Sequence, residues 1–230
     1  MSLLETPPLQ VRPAQDPAPH LPELLALALL LTYSSHALPL WLLFGALGRR
    51  PSYWLQTHLG LDWALDILQL IFVLILTLPT ARRSGIRIGN LRQHWPKVLM
   101  IIAIPILLTA LIYPRLSTRP FTGGSASLWT ISPLAQDLLF AGYIYGSFAR
   151  IASRWFHPKI PINGAVLLTA TFFALWHLPN LASIPASFVL FQMCYVFLGA
   201  TFTGMTRVLT GSVFYITIAH IAVNFIAATF

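Results

Sequence analysis

Charge is what this chain most lacks. Only 9% of its 230 residues are Asp, Glu, Lys or Arg, against about a quarter in a soluble domain. Too few polar side chains remain to cover a water-facing surface, which excludes an ordinary soluble globule. Cysteine is almost missing as well. Cys194 stands alone, so no disulfide partner exists within the chain. Strict apolar–polar alternation in segments of about ten residues is also missing, which excludes a transmembrane β-barrel. A net charge of +8 is compatible with a nucleic-acid partner, but the basic residues form no single patch. They collect at the ends of apolar runs, where Lys and Arg anchor spans and set topology.

Long apolar runs are what the chain does have. Hydrophobic residues make up 57% of it and the mean hydropathy is +0.73. Runs of about 17–25 such residues cross the hydrocarbon core as helices. The pattern predicts an all-α fold, a polytopic transmembrane helical bundle of about seven spans. They fall near 23–47, 61–79, 98–113, 128–149, 160–178, 184–206 and 211–230. Pro105 predicts a tilt or kink in the third. Residues 1–20 carry five prolines and form a flexible cytoplasmic arm rather than a secretory signal; residues 21–230 form a single transmembrane domain.

Topology follows from the basic residues. Ten lie in the arm and the second, fourth and sixth loops: Arg12, Arg82, Arg83, Arg87, Arg92, Lys97, Arg150, Arg154, Lys159 and Arg207. Four lie in the odd loops: Arg49, Arg50, Arg115 and Arg119. Ten against four predicts a cytoplasmic N-terminus; the membrane expected is a prokaryotic cell membrane. Membrane lipid is then a partner, with the basic stretch from Arg82 to Lys97 touching anionic headgroups.

A few polar residues sit where a lipid-facing helix does not want them. An acid at mid-span costs about 2.5–3.5 kcal/mol, so it needs a partner or a purpose. Asp137 is the only acid near the middle of a predicted span. His177 lies in the fifth span, and His220 and Asn224 share one face of the seventh, four residues apart. At about 1.5 Å rise per residue, all four fall in one half of the bilayer or near its middle. They are therefore expected to converge on one cavity. His58, Asp62 and Asp66 recur every four residues at the start of the second span, and His36 lies in the first; both sets have a simpler reading as interfacial or interhelical polar groups.

These residues resemble a family. Pro133 to Tyr143, with Gln136-Asp137 and Ala141, is similar to the first motif of the CPBP family, Glu-Glu-x-x-x-Arg. This family includes the type II CAAX prenyl proteases and the Abi intramembrane proteases. Phe173 and His177 match its Phe-x-x-x-His motif, and His220 and Asn224 its His-x-x-x-Asn motif. The resemblance covers about residues 125–230. It implies an intramembrane endopeptidase acting on a membrane-associated peptide or the C-terminal tail of a membrane-anchored protein. The implied catalytic set is Gln136, Asp137, His177, His220 and Asn224, with the last two stabilising an oxyanion.

Gln136 and Ala141 depart from the motif, standing at its first glutamate and its arginine. A glutamine orients water but accepts no proton, so the base would be Asp137 or His177. Two other readings use the same residues: a catalytically inactive pseudoprotease or immunity-type binding protein, and a small-solute or ion transporter. No cofactor is favoured. Zinc held by Asp137, His177 and His220 is the second choice.

Overall fold

The computed structural model describes residues 20–44, 61–112, 115, 130–153, 155–157, 160–182 and 185–229. The sequence-predicted arm, apart from His20, lies outside them, as does His58. Apolar runs fold as helices, because a helix satisfies its backbone groups within one segment. Helix α1 spans Leu21–Phe44 and α2 spans Leu61–Thr77. The chain continues from α2 through a tight turn, Leu78–Thr80, into a short helical turn, Ala81–Ser84. Helix α3 spans Leu91–Ile112. Helix α4 starts as Ile131–Asp137, widens to π-helical winding over Leu138–Ile144 and closes as Tyr145–Phe148. After a short antiparallel ribbon, β1 (Trp155–His157) and β2 (Ile160–Asn163), come α5 (Gly164–Leu175), α6 (Ala186–Thr210) and α7 (Phe214–Thr229).

Among the described residues, four stretches are long and apolar enough to cross a membrane: Trp63–Ser84, Leu91–Ile112, Gly164–Leu181 and Ala186–Thr210. Two further apolar helices, Leu21–Ser35 and Phe214–Ala227, are shorter within the described residues. The all-α class expected from composition is the class observed.

Two boundaries differ from the sequence reading in instructive ways. The third span was expected from residue 98, yet α3 begins at Leu91 and runs through Pro96 and Pro105. A proline near a helix start removes one amide donor while sparing most of the ladder. The fifth span was expected from residue 160, but 160–163 pair as β2. Helix α5 starts only where Asn163 supplies a cap, its side-chain oxygen accepting from the Val166 amide at 3.0 Å.

Helix α4 is the central element. It packs against α2, α5 and α7, while α6 packs against α3, α5 and α7. Phe140 and Phe148 on α4 are almost fully buried, Phe140 against Phe173 with ring centres 5.0 Å apart and Phe148 against Phe172 at 5.9 Å. Helices in lipid gain little from burying apolar area, so close contact through small residues has to hold them. Gly204 supplies one such contact, since a Cβ there would meet Val166 at 2.9 Å.

One end of the bundle is stitched by hydrogen bonds between the segment after α2 and the α6–α7 junction. Val213 N–H donates to Gly85 at 3.1 Å, Asn90 N–H to Thr210 at 2.9 Å, and the Tyr215 hydroxyl to the Ile88 carbonyl at 2.8 Å. Arg87 Nε donates to the Gly211 carbonyl at 3.1 Å. These bonds fix where α7 starts, and therefore where His220 stands.

Candidate active site

Three helices bring the polar residues together. On α5, Thr169, Phe173 and His177 follow at intervals of four and share a face. His177 lies just past the end of α5, where its amide donates to the Ala174 carbonyl at 3.0 Å. Asp137 is the last residue before α4 widens. Within that widened segment the Tyr145 amide reaches the Phe140 carbonyl five residues back. Such π-helical turns are found frequently at functional sites. His220 and Asn224 lie one turn apart on α7.

The closest contact joins α4 to α7. His220 Nδ1 lies 3.2 Å from Asp137 Oδ1 and 3.3 Å from Oδ2. The Asp137 side chain is 5% exposed and that of His220 16%, so the pair is largely shielded yet reachable. The second histidine is held differently: His177 Nδ1 lies 3.0 Å from the Phe173 carbonyl. A carbonyl oxygen only accepts, so His177 carries its proton on Nδ1 and keeps Nε2 as an acceptor. Phe173 stands between the two imidazoles, edge-on to each, with ring centres 5.5 Å from His177 and 5.7 Å from His220.

Asp137, His177, His220 and Asn224 all line one cavity of about 120 Å³. The sequence reading expected this convergence. Gln136 is not part of that lining; it is buried, and its Nε2 donates to Ser132 Oγ at 2.8 Å, back along its own helix. Among the described residues no three His, Cys, Asp or Glu side chains gather closely enough to hold a metal ion in this structure.

Residues 118–226 match the family described as type II CAAX prenyl endopeptidase Rce1-like. Over that segment, a little under half of the chain, the sequence is similar to that family. No curated protein and no solved structure matches it. The Rce1-like segment runs from just before α4 nearly to the end of α7, so it contains every residue of the cavity wall discussed above. With its apolar helices and this similarity, the chain is an integral membrane protein.

Some site residues were not singled out from sequence. Gln192 and Tyr195 line the cavity from α6; Gln192 accepts from Asn180 Nδ2 at 3.1 Å, and the Tyr195 hydroxyl bonds Thr109 of α3. The available signal was a polar or small residue every three or four positions along α6: Gln192, Tyr195, Gly199 and Thr203. Arg207 was read as a topology-setting loop residue. It lies inside α6 and is 6% exposed.

Proposed function

We propose that this protein is an intramembrane endopeptidase that hydrolyses a peptide bond in a membrane-associated peptide or C-terminal tail. The observation carrying this reading is the meeting of Asp137, His177, His220 and Asn224, from three helices, around one cavity. The similarity of residues 118–226 to the Rce1-like family supports it.

In this mechanism His177 Nε2 takes a proton from a water molecule in the cavity. The water oxygen attacks the carbonyl carbon of the scissile amide. Asn224 and His220, side by side on α7, hold the carbonyl oxygen as it gains charge, and Asp137 orients His220 through Nδ1. Collapse of the tetrahedral intermediate breaks the C–N bond, and the proton held by His177 passes to the leaving amine. Gln136 keeps no direct role in this scheme, because its amide nitrogen is committed to Ser132. The base the motif resemblance would place at 136 is supplied by His177 instead.

Cleavage of tail peptides by the purified chain in liposomes tests the reading. Removing a general base costs typically about 10²–10⁴-fold in rate. The double variant Asp137→Asn, His177→Ala should therefore be inactive; full activity in it would sink the proposal. Absence of turnover in the wild type, together with crosslinking of a membrane peptide to the cavity, would favour the inactive binding protein.

A further inference from the structure

A second, smaller cavity lies behind the first. It measures about 30 Å³ and shares Asp137, Phe173, Ala200, Thr203 and Ile216 with the outer one as a common wall. Its remaining polar lining comes from Thr169, Tyr145 and Arg207. Two facts make it unusual. Asp137 is the only buried acid among the described residues, and Arg207 the only buried arginine or lysine. Both face the same small space, although the ion-pair partner of Asp137 is His220. The Thr169 hydroxyl, in a residue only 7% exposed, has no hydrogen-bond partner among the described residues. An orphaned buried hydroxyl costs free energy and is rare. By contrast, the Thr203 hydroxyl donates to the Gly199 carbonyl at 3.0 Å.

Arg207 is held firmly in place. Nε donates to the Ala141 carbonyl at 3.2 Å and Nη2 to the Arg83 carbonyl at 2.7 Å, while the guanidinium carbon sits 5.3 Å from the centre of the Tyr145 ring. Gly85, at φ 74°, leaves the space the guanidinium fills. A planar group with five donors that spends two on carbonyls has others to offer.

We propose that the inner cavity is a hydration site built for one water, which accepts from Thr169 and Arg207 and donates to Asp137. The volume fits, because a water needs about 10–15 Å³ of such space and two to four polar partners. Through this water Arg207 is a positioning residue for the Asp137–His220 pair, fixing the acid from the side opposite the substrate cavity. The proposal stands on the cavity and its lining, not on the chain being a peptidase.

The test uses the full chain in lipid nanodiscs and turns on a sign. If no water is present, Thr169→Val removes an unsatisfied hydroxyl at constant shape and should raise the thermal midpoint. If the water is present, the same change strips it of a partner, and the midpoint falls by about 2–4 °C, while Thr169→Ser leaves it unchanged. The infrared carboxylate band lost in Asp137→Asn gives a second reading. It shifts in Thr169→Val and in Arg207→Met, and no further in the two combined. An unchanged or raised midpoint in Thr169→Val overturns the proposal, and so does a band that Thr169→Val leaves in place. Neither reading depends on proteolysis, so failure here leaves the catalytic proposal standing, and an inactive protein leaves this test intact.

Discussion

His220 Nδ1 meets the Asp137 carboxylate at 3.2 Å across 83 positions of sequence, joining α7 to α4. This contact commits the one acid that is buried among the described residues to the helix that also carries Asn224. Contacting groups in one network are coupled by about 0.5–3 kcal/mol. The variants Asp137→Asn and His220→Ala should therefore be non-additive in thermal unfolding, the double variant losing less than the sum of the singles. Strict additivity would mean the contact contributes nothing.

Helix α5 depends on its cap. Asn163 is 4% exposed and holds the Val166 amide. Asn163→Ala should lower stability by about 0.5–2 kcal/mol. Because His177 is reached only at the other end of α5, turnover below the unfolding transition should change little. A large loss of turnover in well-folded protein would show that the ribbon and cap shape the site directly.

Gly199 separates stability from function. A Cβ there meets nothing within 4 Å, although the residue lines the outer cavity. Gly199→Ala should stabilise α6 by about 0.5–1 kcal/mol, the usual gain for replacing a mid-helix glycine. Gly199→Leu should reach into the cavity and raise KM for a tail peptide more than it lowers kcat. Equal behaviour of both variants in a peptide-cleavage assay would place substrate elsewhere.

Ala141 and Arg207 both line the inner cavity, and Arg207 Nε donates to the Ala141 carbonyl. Ala141→Arg alone should destabilise the protein, since two guanidinium groups then compete for one space. Combined with Arg207→Ala it should cost less than the sum of the two single changes. Circular-dichroism melts of the four proteins in detergent decide the matter; additive losses would separate the two positions.

Gly89 holds a left-handed turn, φ 70°, and a Cβ there would run into the Thr210 carbonyl oxygen. Strain of this kind costs about 1–3 kcal/mol. Gly89→Ala should loosen the stitching at the α6–α7 junction and lower the thermal midpoint. An unchanged midpoint would show that this end of the bundle is not needed to hold α7.

The sequence by itself determined a good deal of this. A 9% charged content and long apolar runs leave helices in lipid as the only sound arrangement. Because side chains four apart share a helix face, and because an intramembrane acid is costly, Asp137, His177, His220 and Asn224 could be picked out with no coordinates. Local spacing did not determine register between helices. Whether Gln136 or Asp137 faces α7 is a matter of about 100° of rotation on α4, set by packing against α2, α5 and α7. Asp137 reaches His220, while Gln136 turns back to Ser132. Arg207 belongs to the same class. In sequence it is a basic residue near a span end, as topology-setting arginines are. Only the close approach of Gly85 and the carbonyls of Ala141 and Arg83 draws it inward, because a buried guanidinium needs several acceptors at once and no single helix supplies them.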